Sequence, residues 1–190
     1  MQKPLIGNLR ICNMLNSMIK NHRIPHAILL EGEEGLGKRT LAKFIAKACL
    51  CKSENPPCYE CKTCHLIEVG SHPDFQIISP DGAQIKVDQV RELRVEAFLT
   101  PMAADGRVFI IESAHTMNDA AQNALLKVLE EPPVGVTFIL LAKSENLPLI
   151  DLYHSGVFAE ENEDVVQPRD GLHFGYLGYK KLALFLGEEL

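Results

Sequence analysis

The stretch "HAILLEGEEGLGKRTLAKFIAKACLC", residues 26–51, decides the fold. Its first part, with Ile24 and Pro25 in front, is a short apolar run that ends at Gly32 and reads as a buried strand. Its last part, Lys38 to Cys51, repeats apolar residues every three or four positions and reads as a helix. Between them lies a turn carrying Gly32, Gly35 and Gly37, followed at once by Lys38. A strand, a glycine turn and a helix form the context of a phosphate-binding loop. Glycines let successive N–H groups turn toward phosphate oxygens, and the helix adds its positive N-terminus. The pattern G-x-x-x-x-G-K-[ST] is met at Gly32, Gly37 and Lys38 and fails at the next position. Arg39 stands where a hydroxyl normally holds Mg²⁺ between the outer phosphates. Thr40 comes one place late, turned by about 100° around a helix of 3.6 residues per turn. A phosphate-loop framework is expected here, without Mg-dependent hydrolysis.

The surrounding chain extends this unit. Upstream, "NLRICNMLNSMIKNHR" (Asn8 to Arg23) places Leu9, Cys12, Leu15 and Ile19 at helical spacing, with Met18 alongside. Downstream, "FQIISP" (Phe75 to Pro80), "GRVFIIESAH" (Gly106 to His115) and "GVTFILLAKSEN" (Gly135 to Asn146) read as strands. A helical segment precedes each of them. "CHLIEVGSHPD" is a short helix stopping at Gly70. "IKVDQVRELRVEAFL" places Asp88 as N-cap, and "MNDAAQNALLKVLEEPP" closes at Pro132 and Pro133. Strands apolar on both faces and alternating with helices predict a three-layer α/β fold with a parallel sheet. In such sheets ligands bind at the carboxyl ends of the strands, where the glycine loop also falls.

The third strand carries the second half of the nucleotide reading. Glu112 stands where a carboxylate supports the metal shell. Ser113 stands where ATPases of this architecture place the glutamate that polarises water, and serine is a poor base without an activating partner. Ser144, after the fourth strand, is a candidate sensor of the outer phosphate, with Lys143 as its competitor. The candidate nucleotide contacts are therefore Gly32, Gly35, Gly37, Lys38, Thr40 and Glu112, with no catalytic residue. His26 reads as a packed residue before the first strand, His72 as ordering a turn, and Lys127 as a solvated helix lysine.

The 190 residues suffice for one domain of ordinary size, or for one domain and an appendage, and 46% hydrophobic with 23% charged residues is a globular composition. A net charge of −6 argues against a free-standing nucleic-acid binder. No apolar run approaches the ~20 residues of a membrane span. The N-terminus lacks the apolar core and cleavage site of a secretory signal, so a cytoplasmic location is expected. Five of the six cysteines crowd between Cys49 and Cys64. In a reducing compartment such a cluster favours metal over disulfides. Cys58-x₂-Cys61-x₂-Cys64 has the spacing of a zinc knuckle, behind Pro56 and Pro57. The fourth thiolate is expected from Cys51 or Cys49, with His65 a weaker substitute. Four thiolates would leave no open position for substrate, so the role of Zn²⁺ would be structural.

Together and in order, the glycine-loop stretch, "PCYECKTC", "GSHPD", "IKVDQVREL", "RVFIIESAHTMNDAAQNALLKVLEEPP" and "TFILLAKSEN" resemble the clamp-loader branch of the AAA+ ATPases. The resemblance covers residues 1–148 and implies an AAA+ P-loop domain with a zinc module inserted at about 49–66. By position on the helix it favours Cys51 as first ligand, giving the set Cys51, Cys58, Cys61 and Cys64. It implies a subunit of the DNA polymerase III clamp loader, in a ring with delta and gamma/tau subunits that places the sliding clamp on primed DNA. The losses at Arg39 and Ser113 point to a member without ATP hydrolysis, whose own nucleotide binding is doubtful. An active ATPase of the gamma/tau type is the alternative, and a zinc-bearing nucleic-acid binder is a third. The latter is poorly served by Lys47, Lys52, Lys62 and Tyr59. The segment Asn123 to Glu131 is expected to face a neighbour or support the ring's channel. Residues 149–190 depart from the family: the Ser-Arg-Cys motif and the lid and collar domains are absent, which suggests a truncated or frame-shifted product. Only "YKKLALFLGEEL" there reads as a short helix.

Overall fold

A computed structural model describes residues 9–143 and the backbone of two later strands, 172–177 and 183–185. The expected alternation is present. Helix α1 (Leu9–Lys20) precedes strand β1 (Ala27–Gly32), helix α2 (Lys38–Leu50) and helix α3 (Lys62–Val69). Strand β2 (Phe75–Ile78), helix α4 (Val87–Ala97), strand β3 (Arg107–Ile111), helix α5 (Asp119–Glu130) and strand β4 (Val136–Ala142) follow. These four strands lie parallel in the order β2-β3-β4-β1.

Side-chain parity divides the core into two layers. Ala27 and Leu29 of β1, Phe109 of β3 and Phe138 of β4 pack with Leu93 of α4 and Leu125 of α5. The intervening Ile28, Leu30, Ile110 and Ile139 face the other way, against Leu15 of α1 and Ile45 of α2. Successive strand residues point to opposite faces, so a strand covered on both sides must be apolar at every position. All seven residues of β4 are buried. The helix leaving β1 covers one face, whereas those entering β3 and β4 cover the other. The loops at the carboxyl ends therefore part beside β1.

Several boundaries differ from expectation. The buried stripe of α1 runs through Ile11, Leu15 and Ile19, and Cys12 is only half-buried. Asp88 is not the N-cap of α4. Lys86 holds that position and its N–H donates to Gln89 Oε1 at 2.9 Å, while Asp88 sits in the first turn and pairs with Arg91 at 2.9 Å. A carboxylate there is still favoured by the helix dipole. The expected helix near the C-terminus is also corrected, because Ala183–Phe185 is a strand, β6. It pairs antiparallel with strand β5 (Leu172–Leu177), which pairs antiparallel with β1. An uncovered β1 edge would present unpaired backbone groups, and β5 satisfies them.

At the opposite, amino-terminal edge, the chain approaches itself closely where β3 and β4 begin. Arg107 N–H donates to Gly135 O at 2.9 Å, and a Cβ on Gly106 would lie 2.2 Å from that oxygen.

Candidate metal centre and phosphate loop

Helix α2 has a site at each end. At its C-terminus, Cys51 is the capping residue, and its extended backbone (φ −80°, ψ 124°) turns the chain out toward the cysteine loop. Cys61 is the N-cap of α3, and its Sγ accepts from Cys64 N–H at 3.4 Å. Cys58 Sγ likewise accepts from Cys61 N–H at 3.4 Å. These bonds fold the knuckle so that the sulfurs of Cys51, Cys58, Cys61 and Cys64 all lie within 4.8 Å of one another. The separations Cys51–Cys58, Cys51–Cys61 and Cys58–Cys64 are 3.6, 3.9 and 4.0 Å. A tetrahedron with metal–sulfur bonds near 2.3 Å has edges of about 3.8 Å, so the cluster can hold a metal ion of zinc's size. The N–H groups of Glu60 and Cys61 draw the Cys58 thiol down to about 6, whereas burial pushes Cys64 up. Cys49 stands apart: it packs with the α1–α2 layer, and burial pushes its thiol up to about 12 despite a hydrogen bond with Thr137. Among the described residues, His65 does not join the cluster.

Two polar anchors brace this end of the molecule. Lys47 of α2 is buried, ion-pairs with Glu68 of α3, and lies 5.2 Å from the centre of the Tyr59 ring. Asp74, fully buried before β2, accepts N–H bonds from Met102, Ala103 and Ala104 at 2.6, 2.7 and 2.9 Å. Burial opposes its ionisation, yet these bonds and Arg107 at 3.7 Å outweigh it and hold the carboxyl below its usual range. His72 orders the turn, its Nδ1 accepting from Asp74 N–H at 3.1 Å. Lys52 pairs with Asp105 at 2.7 Å. Two of the cations considered for nucleic-acid contact are thus engaged within the protein.

At the N-terminus of α2, Gly35 and Gly37 take positive φ angles of 90° and 80°, as the loop requires, and no atom lies within 4 Å of where their Cβ would stand. Lys38 Nζ donates to Gly32 O and Glu33 O at 2.5 and 2.6 Å, closing the loop on itself. Burial lowers the affinity of Lys38 for its proton, with Glu33 and Glu34 opposing. Burial also pushes Glu31, on the strand behind the loop, up to about 7 against the pull of Lys38.

Arg39 and Glu112, brought together by the parallel sheet, form an ion pair at 2.8 Å from Nε to Oε1. The other oxygen of Glu112 accepts from Ser79 Oγ at 2.9 Å. Thr40, the displaced hydroxyl, is exposed on α2. Ser113 takes a left-handed backbone (φ 52°) that turns the chain off β3 into a short 3₁₀ turn, Ala114–Thr116. The residues present do not fit Mg²⁺: an arginine replaces the hydroxyl that would bind it, and its guanidinium already pairs with the carboxylate. Lys143 N–H reaches His115 Nδ1 at 3.3 Å, and its Nζ lies 3.8 Å from Glu34. Ser144 lies outside the described residues. Asn123, Lys127, Glu130 and Glu131 are exposed along α5, and His26 is half-buried. Sequence reasoning missed Ser79 and Asp74; the buried end of "GSHPD" was the one available signal.

The profile of the family described as "DNA polymerase III, delta subunit" matches residues 7–150. DNA polymerase III subunit delta' of Bacillus subtilis is 36% identical over 135 residues, 70% of this chain and 41% of that protein. DNA polymerase III subunit gamma of Buchnera aphidicola subsp. Acyrthosiphon pisum is 36% identical over 141 residues, 73% of this chain and 38% of that protein. The chain thus spans about two fifths of the length of these relatives. A crystal structure of a gamma subunit-related protein of Thermotoga maritima matches with a TM-score of 0.50 at 22% identity, over 68% of this chain and 39% of that one, a likeness of fold alone. Among the described residues, no helix is long and apolar enough to cross a membrane.

Proposed function

The chain belongs to the DNA polymerase III delta-subunit family, and on that footing we propose that it is a delta-prime-type subunit of the replicative clamp loader that does not hydrolyse ATP. It works in the cytoplasm beside delta and gamma/tau subunits, helping the ring place the sliding clamp on primed DNA. Residues 1–148 form its AAA+ unit, with 149–190 an appended tail. Cys51, Cys58, Cys61 and Cys64 hold a structural Zn²⁺. The contacts open to a nucleotide are Gly32, Gly35, Gly37, Lys38 and Thr40, while Glu112, also expected there, is tied to Arg39 and acts through it.

The observation that carries this reading is the Arg39–Glu112 ion pair, which joins the two half-sites that a hydrolysing member would devote to metal. Ser113, next in the chain, supplies no carboxylate for water activation. A run of exposed apolar residues adds support for assembly: Val95, Phe98, Leu99 and Met102 stay 54–78% exposed at the end of α4 and in the loop beyond it. The exposed face of α5 from Asn123 to Glu131 is a second candidate for a neighbour.

Co-purification of the chain with delta and gamma/tau, with zinc and ATP turnover measured on the same sample, tests the reading. Stable assembly, about one zinc per chain and no turnover are expected. Failure to bind any loader subunit would overturn the assignment. Mg-dependent turnover lost in Lys38→Ala would instead favour an active gamma/tau-type ATPase, the second reading, which the intact Lys38 and the likeness to gamma keep in play.

A further inference from the structure

The ion pair that excludes Mg²⁺ also supplies a cation of its own. We infer that Arg39 replaces the divalent cation at this loop, so that a nucleotide bound here is held as the metal-free triphosphate. The inference rests on reading the loop as a nucleotide site.

Three features of the site support it. Arg39 directly follows Lys38 in the first turn of α2 and reaches across to β3, with Nε 2.8 Å from Glu112 Oε1. Its positive charge is thus set against the carboxylate that would otherwise support a metal and its waters. A guanidinium carries five N–H donors, and Arg39 meets Glu112 as an ion pair on its Nε side. The Arg39 side chain is 62% exposed, so its terminal nitrogens are open to phosphate oxygens, which the planar fork matches in pairs. Finally, both oxygens of Glu112 already have a partner, the Arg39 guanidinium on one and Ser79 Oγ at 2.9 Å on the other. Mg²⁺ demands near-ideal octahedral geometry and keeps several of its waters. Bringing them to Glu112 would displace the guanidinium, whose charge already balances that of the carboxylate.

Calorimetric titration of the full zinc-loaded chain with ATP, once with excess Mg²⁺ and once in chelator-free buffer depleted of Mg²⁺, tests the inference. The wild type is expected to bind at least as tightly without Mg²⁺ as with it. Arg39→Ser, which restores the hydroxyl and frees Glu112 from its ion pair, is expected to invert the preference, binding about tenfold more weakly without Mg²⁺ than with it, or some 1.4 kcal/mol. Lys38→Ala should lose binding in both buffers. Arg39 is exposed, so the serine variant should fold, and an unchanged melting curve confirms that it has. Wild-type binding that requires Mg²⁺, or an Arg39→Ser variant that remains indifferent to metal, overturns the inference. Absence of ATP binding in either buffer overturns it together with the nucleotide reading of the loop. Subunit assignment is unaffected by that result, because co-purification reads it separately.

Discussion

Helix α2 ends in two sites built on opposite terms. At its C-terminus, groups converge on one another: four sulfurs, the buried Lys47 against the exposed Glu68, and the buried Asp74 on three consecutive amides. At its N-terminus, exposed charges surround a loop whose lysine bonds its own carbonyl groups. The first end retains every ligand its chemistry requires. The second keeps the backbone of its chemistry while its reactive side chains join one another. Stability should therefore reside at the cysteine end, and tolerance to substitution at the phosphate-loop end.

The strongest way to break that contrast is at the metal. Cys64→Ser is expected to abolish zinc retention and destabilise the chain by more than about 4 kcal/mol, within the range reserved for loss of a metal or disulfide. Metal content and a denaturant midpoint on the same sample check it. A metal-free variant as stable as the wild type would mean that the cysteine end is an ornament on a self-sufficient sheet.

Asp74 gives the next largest effect. Asp74→Ala leaves three amides without their acceptor and Arg107 without its counter-charge, and removing one partner of a buried charged pair costs about 3–5 kcal/mol. Asp74 also sets an acid limit. Its folded carboxyl lies below the unfolded value, so its contribution is present above the unfolded pKa and is lost as pH falls through the folded one. Urea melts along a descending pH series should show the wild type losing stability there, and Asp74→Ala losing less.

The smallest effect belongs to the other end. Arg39→Ala should change stability by no more than about 1 kcal/mol, because a pair with one partner largely in water is screened. A larger loss by the same melts would make the ion pair a fastener of the fold and erase the contrast.

How much of this the sequence discloses depends on how far apart the partners lie. Cys58, Cys61 and Cys64 are close neighbours joined by local N–H···S bonds, so their spacing alone points to the knuckle. The choice between Cys51 and Cys49 depends on where α2 unwinds: Cys49 is still on the helix and turned to Thr137, while Cys51 has left it. The two-sided sheet is legible because buried strands must be apolar throughout. Arg39 and Glu112 meet only through the parallel alignment of β1, β4 and β3, which no local pattern states. Asp74 finds its amides 28 to 30 positions further on, and the register that brings them there is tertiary.

The grip of Asp74 has a consequence in time as well as in energy. Met102 projects into solvent with 78% of its surface open, yet its amide and the next two are bonded to a carboxylate with no exposed surface. Such amides are expected to exchange with deuterium through opening of the loop, and therefore slowly. The loop is therefore wet on its outer side and slow at its backbone, keeping one shape for whatever surface meets it.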